Sequence, residues 1–202
     1  MKTLRSTPTS PFGRKVKIAA AYLGCENDIA IEVADPLNEN DTLRVQNPLG
    51  KMPVLILEDG TTLFDSAVIL DFLDQQAGGG CIIPQHGPDR SAALTLQALA
   101  DGIIDAAILI TYEGRHRPKE KHHTPWLNYQ TDKITRSLAA VAGSIPPTDT
   151  PTVGTISLAC ALGYLDWRKQ VDWRTEFPAL VPWLEAFSDR VPAFAKTFSL
   201  PT

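Results

Sequence analysis

The chain has 202 residues, 44% of them hydrophobic and 21% charged, with a net charge of -4 and a pI near 5.5. That length allows one large domain or two small ones, and the apolar share suffices for a buried core. The mild acidity argues against nucleic acid or an anionic membrane as partner, and no apolar run approaches the roughly 20 residues of a membrane span.

The start, Met1-Lys2-Thr3-Leu4-Arg5, lacks the apolar core of a secretion signal. Thr3 to Ser6 reads as a weak strand. Ser10-Pro11 then opens a helix, with Ser10 suited to the N-cap and Pro11 to the first helical position. Val16, Ala19, Ala20 and Leu23 recur at helical spacing, and Gly24 is a natural stop. Residues 29–33 form a second strand, and residues 38–45 a short helix. Short strands over 54–57 and 62–64 flank Glu58-Asp59-Gly60, a hairpin turn. Residues 67–76 form the next helix, ended by Gly78-Gly79-Gly80. The order β-α-β-α-β-β-α predicts a mixed sheet backed by helices.

The triple glycine and Ile83-Pro84-Gln85-His86-Gly87-Pro88 read as a linker over 79–88, dividing a domain at 1–78 from one at 89–202. Beyond it the pattern is helical: 89–112, then 118–142 starting after Arg117-Pro118, then 152–167, then 178–189. The third of these is apolar nearly all round and belongs at the centre of a bundle. Cys25, Cys81 and Cys160 are an odd number without a CxxC, which predicts reduced thiols in a cytoplasm rather than a disulfide framework or zinc site. His116, His122 and His123 lack metal-ligand spacing and sit among Arg115, Arg117, Lys119 and Lys121, so a solvated basic junction is expected and no metal.

Asn47-Pro48-Leu49-Gly50-Lys51-Met52-Pro53-Val54-Leu55 carries the most information. A proline cannot supply a ladder hydrogen bond, so Pro53 belongs at a strand start or bend. With a cis bond there, the backbone of Met52 would turn outward and an extended peptide could pair with it as a strand pairs with a sheet edge. Asp65 and Ser66 place a carboxylate and a hydroxyl beside helical N–H groups, which suits a zwitterionic amino-acid end. On residue chemistry alone, a plain proline strand start and an ordinary helix cap remain open.

Four segments in order, Ser10-Pro11-Phe12-Gly13-Arg14-Lys15-Val16, Asn47 to Leu55, Phe64-Asp65-Ser66-Ala67-Val68-Ile69 and Ala159-Cys160-Ala161-Leu162-Gly163-Tyr164-Leu165-Asp166, make the chain resemble the cytosolic glutathione transferases over essentially its whole length. Within them it is similar to the bacterial proteins with serine or cysteine at the start of the first helix. The resemblance implies an α/β thioredoxin-like N-terminal domain with cis-Pro53 and an all-α helical-bundle C-terminal domain. It implies glutathione as co-substrate, paired by the backbone of Met52, held at its γ-glutamyl end by Asp65 and Ser66, with Lys51 near the glycine carboxylate. Ser10 falls where the family places the residue that contacts the sulfur. Thr9 is the alternate after a one-residue shift; Thr7 and Ser6 are weaker rivals.

A serine hydroxyl donating to the sulfur, together with the positive end of the first helix, would favour the thiolate. Arg14 and Lys15 could add positive field there, although side chains a turn inward more often face solvent. No cysteine stands at this turn, which weighs against thiol exchange, and Cys25 is assigned to packing. Phe12, Tyr112, Arg115 and Trp126 are candidates for the electrophile pocket. Where the family shows a Ser/Thr cap followed three residues later by Asp, this chain has Thr152 and Thr155, losing the charged half of that interaction. The expected activity is conjugation of the glutathione thiolate to small hydrophobic electrophiles by a cytoplasmic homodimer, without nucleic-acid or membrane partners. A non-catalytic glutathione-binding or protein-interaction module, and a glutathione-dependent isomerase or dehalogenase, are the alternatives.

Overall fold

A computed structural model of the chain describes residues 1–198. It divides into two compact units: Met1–Arg90 together with the segment from Val191 onward, and Ser91–Arg190.

The first unit is built on a four-stranded sheet in the order β2-β1-β3-β4. Strand β1 (Lys2–Ser6) runs parallel to β2 (Ile29–Val33) and antiparallel to β3 (Val54–Ile56), which pairs antiparallel with β4 (Thr62–Leu63). Helices α1 (Pro11–Tyr22), α2 (Leu43–Gln46) and α3 (Ser66–Gln76) complete a thioredoxin-like arrangement. Leu4, Val16, Ile18, Val54, Leu55, Ile69, Leu70 and Leu73 are buried and form its core. Gly24 has φ +72° and Gly60 has φ +86°, left-handed values that stop α1 and turn the hairpin, as a residue without Cβ allows.

The region read as a linker is tied down. Asp74, fully buried near the end of α3, accepts hydrogen bonds from Gly80 N at 2.8 Å and Ile82 N at 2.7 Å. Ile82 and Ile83 follow into the interior.

The second unit is helical: α4 (Gly87–His116, whose first residues belong to the first unit), α5 (Thr124–Gly143), α6 (Val153–Arg168), α7 (Trp173–Glu176) and α8 (Leu180–Arg190). Every residue of α6 from Val153 to Leu165 is buried, as its apolar circumference requires. The chain thus joins a thioredoxin-like domain to an all-helical one.

Several expectations are corrected. Helix α5 begins at Thr124 instead of 118, because the residues after Pro118 form only a 3-10 turn, Lys119–Lys121, before Pro125 enters the first turn of the helix. The short helices α7 and α9 (Ala193–Lys196) carry too few periodic positions to be read from sequence. The tail was expected in the helical half, yet α9 packs on α1 within the first unit. By length and composition α4 is apolar enough to cross a membrane. Its buried residues Ala93, Gln97, Ala100, Ile103, Ile104 and Ala107 recur at helical spacing, the pattern of a bundle helix.

The cap of α6 survives without an acid. Thr152 N donates to Thr155 Oγ1 at 2.8 Å and Thr155 N to Thr152 Oγ1 at 3.3 Å, so two hydroxyls close the reciprocal box.

Candidate functional site

Register brings three distant segments to one end of the sheet. Arg5 pairs with Val54, and Leu55 with Leu63. Continued by two residues, the second register sets Asp65 beside Pro53, and one step of the first sets Ser6 beside Pro53. The chain leaving β1 toward Ser10, the chain entering β3 through Met52 and the chain leaving β4 toward Ser66 therefore converge there.

On the first segment, Ser10 is the N-cap of α1, with extended backbone (φ -74°, ψ 115°), and its Oγ accepts from Gly13 N at 3.1 Å. It is 9% exposed. A hydroxyl used as an acceptor in this way keeps its proton to donate. Thr9 lies half-buried beside it, its Oγ1 3.3 Å from Thr7 Oγ1. Ser6 is fully buried in β1 and faces Gly13: a Cβ on Gly13 would stand 1.8 Å from Ser6 Oγ. The first turn of α1 thus touches the sheet backbone-close, which only glycine permits.

Arg14 and Lys15, read as solvent-facing, are both buried. Gly13 turns one side of α1 onto the sheet, and Arg14 is covered by the returning C-terminal segment of the same unit. The Arg14 guanidinium donates to Phe194 O at 2.6 Å, and Lys15 Nζ lies 5.5 Å from the centre of the Phe12 ring.

On the second segment, Asn47 is 2% exposed and organises the turn before β3. Its Nδ2 donates to Lys51 O at 2.8 Å, its Oδ1 accepts from Leu49 N at 3.0 Å, and its carbonyl accepts from Gly50 N at 2.8 Å. Gly50 takes φ +62°. The Met52–Pro53 peptide bond is cis. The half-buried Met52 packs with Ile56 and Phe64 against Ala34, Leu43 and Val54, while Lys51 is exposed.

On the third, the Phe64–Asp65 bond is also cis. Exposed Asp65 caps α3, its Oδ1 accepting from Ala67 N at 2.9 Å, and Ser66, buried, is the first residue of the helix. Two caps, those of α1 and α3, therefore present helix N-termini at the same end of the sheet, where partial positive charge collects.

Sequence reading passed over the role of Asn47, although an Asn-Pro-x-Gly run signals a side-chain-stabilised turn. It also missed Arg5, which no local pattern marks. That guanidinium is 3% exposed and bonds Asp41 Oδ1 at 2.7 Å and Thr42 Oγ1 at 2.8 Å, pinning the loop between β2 and α2. The backbone N–H of Asp35, that of Leu43 and the Arg5 charge hold the Asp41 carboxyl below its ordinary range. Burial pushes the Cys25 thiol up, which makes it a poor nucleophile and agrees with a packing role.

The pocket candidates fall in both units. Phe12 is half-buried in the first. In the second, Tyr112 stands edge-on to His116 at 5.4 Å with the Arg115 guanidinium 5.2 Å from its ring, and Trp126 stacks on Tyr129 at 5.9 Å. At the junction of α4 and α5 the basic cluster contains an unforeseen acid. Glu113 is buried, accepts from His123 N at 3.1 Å and takes both oxygens to Arg117 Nη1 at 2.9 and 3.0 Å. The His123 amide first, then Arg117, hold its carboxyl below the usual value. Among the described residues no cluster of His, Cys, Asp and Glu is arranged to hold a metal.

Residues 9–76 match the family described as glutathione S-transferase, N-terminal domain. The chain is 34% identical over 194 residues to "Uncharacterized GST-like protein YibF" of Escherichia coli (strain K12), covering 94% of each protein. It is similar to a solved glutathione transferase family member from Pseudomonas fluorescens Pf-5 with bound glutathione, at 42% identity and TM-score 0.93 over the whole of both chains. A glutathione S-transferase from Methylobacillus flagellatus KT, solved with glutathione bound, is 32% identical with TM-score 0.90, over 99% of this chain and 100% of that one.

Proposed function

This chain belongs to the glutathione transferase family, and from that premise we propose that it binds glutathione at the convergent end of the sheet and conjugates its thiolate to small hydrophobic electrophiles. The observation that carries the reading is Ser10: a capping hydroxyl with its proton free to donate, at the N-terminus of a helix that starts from the same end of the sheet as Met52–Pro53.

In this reading the backbone of Met52 pairs with the cysteinyl unit of the tripeptide, as one strand pairs with another. The N-terminal turn of α3, with Asp65 and Ser66, takes the γ-glutamyl end: the Asp65 carboxylate meets the ammonium, and the helix N–H groups and Ser66 hydroxyl meet the carboxylate. Lys51, exposed at the turn, serves the glycine carboxylate. The cysteinyl sulfur then faces the Ser10 hydroxyl.

A free thiol with a pKa of about 8.5 is only a few per cent ionised near neutrality. A hydrogen bond from Ser10 and the dipole of α1 both favour the anion. A shift of two pKa units corresponds to about 2.7 kcal/mol, a reasonable demand on the two together. The thiol proton passes to solvent. The sulfur lone pair forms a new S–C bond with the electrophilic carbon, and the leaving group departs with the electrons of the bond it breaks. Phe12 of the first unit is proposed to supply aromatic surface for the electrophile; Tyr112, Arg115 and Trp126 of the second unit are separate candidates for contact with it. Homodimeric assembly and a cytoplasmic location are proposed on the habit of the family.

Turnover of a chloro-nitroaromatic acceptor measures the claim directly. Ser10→Ala is expected to lose at least about tenfold in kcat while glutathione still binds. Thr9→Val is expected to retain activity; the reverse outcome moves the role to Thr9. A second reading, glutathione binding without chemistry, draws on the burial and capping bond of Ser10. Millimolar-range binding by calorimetry with no turnover in the wild-type protein favours it.

A further inference from the structure

The helix that carries Ser10 is gripped from a point 180 residues further along the chain. Arg14 lies four positions after Ser10, so the two share a helix face. Its guanidinium, 6% exposed, donates from Nη2 to Phe194 O at 2.6 Å and from Nε to Thr197 Oγ1 at 3.3 Å. The same group lies 4.1 Å from the centre of the Phe194 ring and 5.2 Å from that of Phe198. Thr197 Oγ1 is itself set by a bond to Ala193 O at 2.7 Å. This tail segment is the portion of chain that returns to the first unit after the helical one.

A straight helix lying on a sheet keeps two freedoms that matter at its first turn: sliding along its axis and rolling about it. Gly13, packed against Ser6, limits the approach of α1 to β1. Further along, α1 packs against α3 and buries Val16, Ile18, Ala19 and Ala20, so the body of the helix is seated there and its first turn is set by the contacts beside Ser10. Arg14, next in sequence and about 100° round the helix, adds a second point with a directional fork and a stacked ring. Two contacts on different sides of that first turn fix its orientation, which sets where the Ser10 O–H points.

We propose that Arg14 is a positioning residue for the thiolate site: held by α9, it fixes the orientation of the first turn of α1 and therefore the direction of the Ser10 hydroxyl. The inference rests on the reading of Ser10 given above. It assigns the C-terminal segment a part in the chemistry that acts through Arg14.

Arg14→Lys tests this because it keeps the positive charge and removes the planar fork and the stacking. Three quantities are read in the folded protein: the glutathione Kd by calorimetry, the ultraviolet absorbance of bound thiolate at pH 7, and kcat with the chloro-nitroaromatic acceptor. Expected is a Kd within about threefold of wild type, with bound thiolate and kcat both lower by about tenfold. Phe194→Leu, which removes only the ring under the guanidinium, is expected to move the same readouts in the same direction by a smaller factor, and it serves where Arg14→Lys does not fold.

The same measurements on Ser10→Ala and on the double variant separate the two claims. If Ser10→Ala lowers the thiolate and Arg14→Lys then adds nothing to it, both stand. If Ser10→Ala lowers the thiolate while folded Arg14→Lys and Phe194→Leu match wild type, the Arg14 assignment is overturned alone. If Ser10→Ala leaves the thiolate unchanged, the Ser10 reading fails and the inference with it. A fall in thiolate that is equal in the presence and absence of Ser10 also overturns it, since Arg14 would then act on the sulfur without that hydroxyl.

Discussion

The two units solve their folding problem with different means. In the first, buried polar groups hold the backbone: Arg5 pins a loop, Asn47 a turn, Asp74 the glycine-rich exit, and Ser10 a helix start. In the second, α6 is buried on every side and apolar contact does the holding. Its buried polar atoms are less used. Gln97 Nε2, Gln130 Nε2, Ser157 Oγ, Gln170 Oε1 and Trp173 Nε1 have no hydrogen-bond partner among the described residues, whereas in the first unit that is true of Arg5 Nε alone. A directional hydrogen bond fixes a backbone atom to within a fraction of an ångström, while apolar packing fills volume and tolerates substitution of similar size. The unit proposed to place the thiolate uses the directional means.

The contrast is broken most severely at the two tight glycines. Gly13→Ala would set its Cβ 1.8 Å from Ser6 Oγ and 2.9 Å from Ser6 Cβ, in a place where Ser6 is fully buried. The expected cost is about 3 kcal/mol in urea unfolding, with glutathione affinity down by about tenfold as α1 lifts from the sheet. Ser6→Ala should restore part of both. Gly154→Ala would meet Ala93 O at 2.7 Å and Leu96 Cβ at 2.8 Å. Here about 2 kcal/mol is expected after the gain in helix propensity, and glutathione affinity should not move. Equal functional damage from the two glycines would erase the distinction between the units.

Smaller changes sharpen it. Thr155→Val removes the hydroxyl that closes the α6 capping box and should cost about 1 kcal/mol, again without a change in glutathione Kd. The smallest effect concerns Glu113, whose carboxyl is held low by the His123 amide and Arg117. A carboxylate with a depressed folded pKa adds stability above its ordinary value of 4.5 and loses it as pH falls through the lower folded value. Tm measured against pH should therefore fall below about pH 4.5 in the wild type, and Glu113→Gln should flatten that segment of the curve; an unchanged profile refutes the assignment.

Much of the first unit could be read from residues in order. Ser10-Pro11, Glu58-Asp59-Gly60 and the triple glycine are local signals whose chemistry acts within a few residues, and the elements fall close to where those signals put them. Reading was poorer where partners lie far apart. Arg14 in isolation is a charged residue one turn into a helix, and solvent was the natural expectation; Phe194 and Thr197 change that only when the chain returns. Thr155 was judged by the missing charge, although a hydroxyl can accept the same backbone donor. Glu113 was hidden among cations because its role depends on an amide ten residues on.

By itself the sequence determined the family and the thioredoxin-like and helical fold classes, since these depend on turn chemistry, periodicity and short ordered motifs. Tertiary structure alone decided the convergence of Ser10, Met52 and Asp65 at one sheet end, the close seat of Gly13 on Ser6 and the hold of the tail on Arg14. Those depend on strand register and long-range packing, whose energy is settled only when residues distant in the chain come into contact.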